Sequence, residues 1–476
     1  MNDQHPHYRT SKKDVASSMP HPKSAEKNLI VIGGGLSGCE AAWQAANRHI
    51  HVTLYEMRPS TTTGAHQTDK LSELVCSNSL GSKLPDRATG LLQEEIQRMG
   101  SLILSCAYQT QVPAGSALAV DREAFADLVT QKIQAHPNIE IIREEVTEIP
   151  DDVCIIASGP LTSPSLASVI QCLLDDEGMA FFDAIAPIVA ADSINMDIAF
   201  RASRYQRGEQ QQGDYINCPF TEEQYHHFIH ELINAQRIQL KSFEAAITDG
   251  VRAGMHTFFE GCLPIEIMAE RGSQSLAFGP MRPIGIFNPH TNHRPYAVVQ
   301  LRQDDLSGSL FNLVGFQTNL TYSEQKRIFR LIPGLENAEF HRYGQMHRNT
   351  FIASPKFLTS TLQLRENQRI FFAGQITGVE GYIGNAATGL LAGMNAANLV
   401  FDQPLIKMPP DTMLGALVNH ITTAPLVTFQ PMKANFGILP PLPEEIKGKR
   451  NRATAYAERA IRSLETCLAS VDNHVK

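Results

Sequence analysis

The chain has 476 residues, 43 % hydrophobic and 19 % charged, with a formal net charge of -8. This mixture excludes a disordered or fibrous chain, and the length suffices for two or three domains with cores of their own. The acidic balance excludes a uniformly basic nucleic-acid coat while leaving room for a local basic patch.

Residues 1–27 are polar and rich in His, Lys, Ser and Pro, which predicts a disordered tail. Order begins at Asn28. Leu29-Ile30-Val31-Ile32 is a short apolar run suited to a buried parallel strand. A glycine loop follows, then an alanine-rich helix over 39–47 and a second strand, Val52-Thr53-Leu54-Tyr55-Glu56, which together make a β-α-β unit. Helices are predicted over 91–99 and 122–134, and strands over 139–142 and 153–157, the latter ending in Ser158-Gly159-Pro160. The middle changes character, with a polar helical piece at 221–235, a glycine-containing segment at 249–254 and a strand-like run at 296–301. Ile370-Phe371-Phe372-Ala373-Gly374 has the composition of a last core strand, feeding a Gly/Ala-rich stretch whose second half, 389–399, reads as a helix. A Pro-rich linker and a basic helical end from about residue 443 close the chain. The expected division is a first dinucleotide-binding part over 28–182, an inserted α+β domain over 183–345, a second dinucleotide-binding part over 346–442 and a C-terminal segment over 443–476.

The loop Gly33-Gly34-Gly35-Leu36-Ser37-Gly38 fits G-x-G-x-x-G. Its first glycine permits a tight turn, its second lets the backbone approach a pyrophosphate, and its third lets helix and strand pack closely. Free N–H groups and the positive end of the helix then face the phosphates. Glu56 ends the next strand 18 positions after Gly38, where an acid is expected on a ribose hydroxyl. The loop alone does not separate NAD from FAD. Two later returns of the chain favour FAD: the strand ending at Ser158-Gly159-Pro160, and Gly374 followed by a small-residue helix.

The eight cysteines are Cys39, Cys76, Cys106, Cys154, Cys172, Cys218, Cys262 and Cys467. No C-x-x-C pair or zinc spacing occurs, so no metal site is expected. Scattered cysteines without a secretory signal point to a reducing, cytoplasmic setting. No apolar run approaches the roughly 18 residues of a membrane span, so no membrane partner is expected. Cys76, in Glu73-Leu74-Val75-Cys76-Ser77-Asn78, and Cys262, in Glu260-Gly261-Cys262-Leu263-Pro264, sit among carboxylates and turn formers. Each reads either as a small buried hydrophobe or as a reactive thiol. Cys39, Cys106, Cys154 and Cys172 take the buried reading, and Cys218 is open between the two.

At these residues the sequence resembles the folate- and FAD-dependent tRNA (uracil-5-)-methyltransferases, TrmFO. The resemblance covers nearly everything after Asn28. It is carried by the glycine loop, Leu54-Tyr55-Glu56-Met57-Arg58-Pro59, His66-Gln67-Thr68-Asp69-Lys70, Ala119-Val120-Asp121-Arg122, Phe278-Gly279-Pro280-Met281-Arg282-Pro283, Gln300-Leu301-Arg302-Gln303-Asp304-Asp305, Met346-His347-Arg348-Asn349-Thr350 and Thr377-Gly378-Val379-Glu380-Gly381-Tyr382. The N-terminal tail is extra, the segment 248–257 is longer than usual, and Gly384-Asn385 departs from the family form. The resemblance implies a Rossmann-type, glutathione-reductase-like FAD domain with an inserted α+β domain. It implies a cofactor set of Gly33, Gly34, Gly35, Leu36, Ser37, Gly38, Glu56, Arg58, Gly374 and Gly378. It further implies methylation of the T-loop uridine of tRNA, with 5,10-methylenetetrahydrofolate as carbon donor, reduced FAD as reductant and NAD(P)H reducing the flavin. In that reading Cys262 is the nucleophile and Cys76 the base. tRNA is the expected partner, through Lys447, Lys449, Arg450 and Arg452 or through Arg342, His347 and Arg348; no motif calls for an obligate protein partner. A GidA-like enzyme of the wobble uridine shares the architecture but carries a longer C-terminal helical region than the about 70 residues left here by a coarse reading. A non-catalytic flavin-dependent tRNA-binding protein would have no use for the thiols.

Overall fold

A computed structural model describes residues 27–63, 65–175, 179–184, 186–206, 213–238 and 263–472. The tail before Lys27, the segments at 248–257 and 249–254, and Cys262 lie outside the described residues.

Five parallel strands form the first sheet, in the order Ile370–Phe372, Cys154–Ile156, Asn28–Ile32, His51–Tyr55, Ile139–Ile142. Both faces are buried, as a parallel sheet requires. Alternation divides the side chains: Leu29, Val31, Ile155 and Phe371 enter the larger core, while Ile32, Cys154, Ile156, Ile370 and Phe372 enter a second core with Leu166, Ile170 and Phe357. The strand order reverses beside Asn28–Ile32, so the crevice at its carboxyl end is a topological switch point.

The glycine loop ends this first strand and opens the helix Leu36–Ala46. The helix Tyr382–Val400 crosses it at very short range. A Cβ placed on Gly389 would stand 2.8 Å from Ser37 Cα, and one on Gly393 2.8 Å from Ala41 Cα. Only glycine allows this backbone-to-backbone approach. The helix begins well before the expected 389, because Gly381 redirects the chain and Tyr382 to Thr388 are already helical. The helices at 122–134 and 88–98 and the strand at 139–142 stand where the sequence places them, within a few residues.

Six antiparallel strands form the second sheet, in the order Phe200–Ala202, Tyr215–Phe220, Ala297–Gln303, Leu310–Leu313, Ile188–Ala190, Phe340–Arg342. On its central strand Ala297, Val299 and Leu301 enter an apolar core with the helices Glu222–Ile233, Ile265–Glu270 and Tyr322–Phe329. The chain leaves the first sheet and returns to it through an antiparallel ribbon of Met179–Ala184 with Met346–Phe351.

Two features were not legible in the sequence. The segment after Cys76 joins a small antiparallel sheet of Ser79–Ser82, Ala117–Val120 and Gln111–Val112. The Pro-rich stretch contains the helix Met413–Thr423, whose first amides, Met413 N–H and Leu414 N–H, donate to the buried Glu95 carboxylate at 2.6 and 2.9 Å. The basic end folds as the helix Lys449–Asp472.

Candidate flavin and thiol site

A cleft open to solvent lies at the switch point. Its walls include Gly33, Gly34, Gly35, Leu36, Ser37, Glu56, Arg58, the turn Ser158-Gly159-Pro160, Gly374, Tyr382 and Asn385. Each loop glycine has a distinct role. Gly33 has φ +107°, and a Cβ there would stand 2.6 Å from the Ala157 carbonyl oxygen. A Cβ on Gly34 would stand 2.8 Å from Glu56 Oε2. Gly35 has no protein atom within 4 Å of that position, so its face is free for a ligand. Gly38 lies behind the wall, where a side chain would overlap the Gly33 carbonyl. Gly374 packs on Ser37, and Gly378 lies behind the wall against Phe429.

The buried Glu56 faces back into the loop. Gly34 N–H donates to Oε2 at 2.9 Å, and Arg58 N–H and Nε donate to Oε1 at 3.0 and 2.8 Å. Burial acts to raise its pKa, but the Arg58 hydrogen bonds and charge hold it below the usual carboxylate range. Arg58 also donates to the Thr68 carbonyl and Glu73, so it braces the loop at 66–73. Two buried polar atoms on the cavity wall, Ser37 Oγ and Asn385 Oδ1, have no hydrogen-bond partner among the described residues. Buried polar atoms usually meet a partner, whether protein, water or ligand, and these two face the cavity. The open face of Gly35, these two atoms and the helix N-terminus fit a dinucleotide pyrophosphate.

Cys76 is half-buried where the two sheets meet. Tyr382 Oη accepts from Cys76 N–H at 3.0 Å and from Ser77 N–H at 3.1 Å, tying the thiol segment to the cavity wall. On the other side Arg122 donates to the Leu74 carbonyl at 2.6 Å and pairs with Asp304 at 2.8 Å. Arg302 donates to Asn78 Oδ1 at 2.8 Å and to Ser77 Oγ at 2.7 Å. Arg342 donates to the Ala65 carbonyl and lies in the field of Arg122, Tyr382, Glu73 and Asp304. Arg122 and Arg302 interact electrostatically with Cys76, and burial pushes the Tyr382 phenol well above its ordinary value. Sequence reasoning assigned no role to Arg122, Arg302, Asp304 or Tyr382. The available signal was a charged residue, Arg302, inside a fully buried strand.

The other thiols sort by burial. Cys39, Cys106, Cys154 and Cys218 are buried, and desolvation pushes Cys39 and Cys154 to about 12 and Cys106 to about 11. Cys172 is exposed, on the outer side of the helix Pro164–Leu174, so the buried expectation fails for it. Of the basic groups expected at tRNA, Arg450 is exposed and pairs with Asp86 at 3.2 Å, whereas Arg342 joins the Cys76 cluster. The side chains of His347 and Arg348 lie outside the description. No helix among the described residues is long and apolar enough to cross a membrane.

The parallel sheet, the glycine loop and this cavity define a dinucleotide-binding flavoprotein of the Rossmann type. The family model of the glucose inhibited division protein A matches residues 28–404. Relatives named methylenetetrahydrofolate–tRNA-(uracil-5-)-methyltransferase TrmFO include those of Geobacter sulfurreducens, 53 % identical over 93 % of this chain and 99 % of the relative, and Heliobacterium modesticaldum, 52 % identical over 93 % and 98 %. The solved GidA of Aquifex aeolicus superimposes with a TM-score of 0.63 at 16 % identity, covering 94 % of this chain and 76 % of its own, which shows a shared fold. The chain belongs to the TrmFO family.

Proposed function

We propose that this protein forms 5-methyluridine in the T-loop of tRNA, taking carbon from 5,10-methylenetetrahydrofolate and electrons from reduced FAD. The observation that carries this reading is identity of 51 to 53 % with TrmFO relatives over more than nine-tenths of the chain. The cavity at Gly33–Gly38 supports it independently. In the net reaction the C5–H of uridine becomes C5–CH3, the methylene comes from the folate, two electrons come from reduced FAD, and NAD(P)H restores the flavin. Gly33, Gly34, Gly35, Leu36, Ser37, Gly38, Glu56, Arg58, Gly374 and Gly378 form or support the FAD site. FAD supplies the reducing equivalents.

The chain's own task is to make C5 nucleophilic. A thiolate adding to C6 of uracil pushes the C5=C6 electron pair into an enolate whose C5 bonds to the methylene carbon; a base then removes the C5 proton, and re-forming the C5=C6 double bond breaks the C6–S bond and releases the thiolate. Cys262 takes the first role and Cys76 the second. The placement of Cys76 supports its assignment: its backbone is clamped by Tyr382 and Arg122, and the buried guanidinium groups of Arg122 and Arg302 interact with it electrostatically. We also assign the six-stranded part, within 183–345, to the RNA, and 28–182 with 346–442 to the flavin. The enzyme works in the cytoplasm, where tRNA and reduced folate are present.

The test is incubation of FAD-loaded protein with unmodified tRNA, methylenetetrahydrofolate and NADPH. Wild-type protein yields 5-methyluridine, and Cys76→Ala and Cys262→Ala each abolish it with FAD still bound. Full activity in both variants would overturn the thiol mechanism and leave a flavin-dependent binding protein.

A further inference from the structure

The motif Phe278-Gly279-Pro280-Met281-Arg282-Pro283 has no part in the cavity or in the Cys76 cluster. It lies within a stretch with an unusual charge balance. The chain holds 49 acidic residues in 476, yet residues 271–303 contain no Asp or Glu, while carrying Arg271, Arg282, Arg294 and Arg302 with His290 and His293. Arg282 and Arg294 are exposed, and so are two rings, Phe278 at 75 % and Phe287 at 69 %. Exposed phenylalanines on an acid-free basic stretch are not explained by folding.

The stretch is fastened to the second sheet. Val298 N–H donates to the Met281 carbonyl at 2.8 Å, and Ile286 packs with Phe200 and Val298. Arg204 donates to the Arg282 carbonyl at 2.6 Å, to the Ile284 carbonyl at 3.1 Å and to Gln300 Oε1 at 2.9 Å. Val298, Gln300 and Arg302 alternate with the core residues Val299 and Leu301, so all three lie on the face opposite the apolar core. Arg302 ends that row with its hydrogen bond to Ser77, next to Cys76. The row Val298, Gln300 and Arg302 thus runs from the stretch at Met281–Ile286 to the Cys76 segment.

We propose that residues 278–294 are the docking surface for the RNA substrate, with Phe278 and Phe287 stacking on unpaired bases, Arg282 and Arg294 meeting phosphates, and Arg302 marking its inner end. Unpaired bases stack on aromatic rings without regard to sequence, and exposed arginines on a stretch without acids of its own complement a phosphate backbone in an otherwise acidic protein. This rests on the tRNA reading above, and it moves the docking surface away from the basic helix start at Lys449.

The test measures the affinity of FAD-loaded protein for a labelled, unmodified tRNA transcript over a series of salt concentrations. Phe278→Ala and Phe287→Ala each weaken binding about 5- to 150-fold without changing its salt dependence. Arg282→Gln and Arg294→Gln each lower the salt slope by about 1. Phe287→Trp keeps the affinity, which separates stacking from a folding defect, and flavin spectra and NADPH oxidation stay those of wild type throughout. Unchanged affinity in the Phe278→Ala/Phe287→Ala double variant overturns the proposal, and a change in self-association without a change in affinity assigns the rings to a second copy of the chain instead. If wild-type protein methylates tRNA while the variants bind it normally, this surface fails alone. If the variants lose RNA while wild type makes no 5-methyluridine, the methylation reading fails and the RNA surface stands.

Discussion

Gly35→Ala separates cofactor binding from folding more cleanly than any other change in the loop. Gly35 sits at the N-cap of the helix Leu36–Ala46 with φ -78° and ψ -172°, a conformation open to alanine, and no protein atom lies within 4 Å of the added methyl group. The apoprotein should therefore keep its stability to within about 1 kcal/mol, because the gain from a less flexible unfolded chain opposes the loss of glycine at the helix N-cap. The methyl group instead occupies the space through which the backbone approaches the pyrophosphate. Loss of one charged hydrogen bond costs about 1.5–3 kcal/mol, so FAD should bind roughly 10- to 150-fold more weakly. Gly38→Ala is the counterpart: its methyl group would overlap the Gly33 carbonyl, so folding itself should suffer. Thermal unfolding of the apoproteins and flavin titration by fluorescence quenching measure the two effects. FAD affinity in Gly35→Ala equal to wild type, or an apoprotein markedly less stable, would refute this account of the loop.

Tyr382→Phe removes the acceptor of two backbone N–H groups at the thiol segment. Each amide left unmet costs about 1–3 kcal/mol, so the segment should loosen and Cys76 should alkylate faster, with methylation impaired; an unchanged rate by site-resolved mass spectrometry would contradict this. Glu95 is raised from 4.5 to about 7 by burial, against the two amides that it accepts. Because the folded value is the higher one, the contribution is complete below about pH 4.5 and is lost as pH rises through about 7. Glu95→Gln should flatten stability over that window in denaturant titrations, and a slope identical to wild type would exclude Glu95 as its source.

Three strands of the parallel sheet, at 28–32, 154–156 and 370–372, were legible as short apolar runs soon followed by glycine, a local signal. Arg122–Gln134 was legible for the same reason: Asp121 caps it and no breaker interrupts it. The helix Tyr382–Val400 was only half visible, since Gly384 and Gly389 lower local helix propensity, while the packing that favours them, Gly384 against Val379 and Gly389 against Ser37, is reported by no local pattern. The helix Met413–Thr423 depends on Glu95, more than 300 positions away, for its N-terminal amides. The site divides in the same way. The glycine loop and Glu56 lie in one β-α-β unit, so their spacing discloses them. Arg122, Arg302 and Tyr382 converge on Cys76 from three distant segments, and only the fold brings them together.

The central claim is tested most directly by locating the modified nucleotide. RNA mass spectrometry of tRNA treated with the FAD-loaded enzyme, methylenetetrahydrofolate and NADPH should find 5-methyluridine in the T-loop and no change at the wobble position. Modification of the wobble uridine alone, or unmodified tRNA despite fully bound and reducible FAD, would contradict the account.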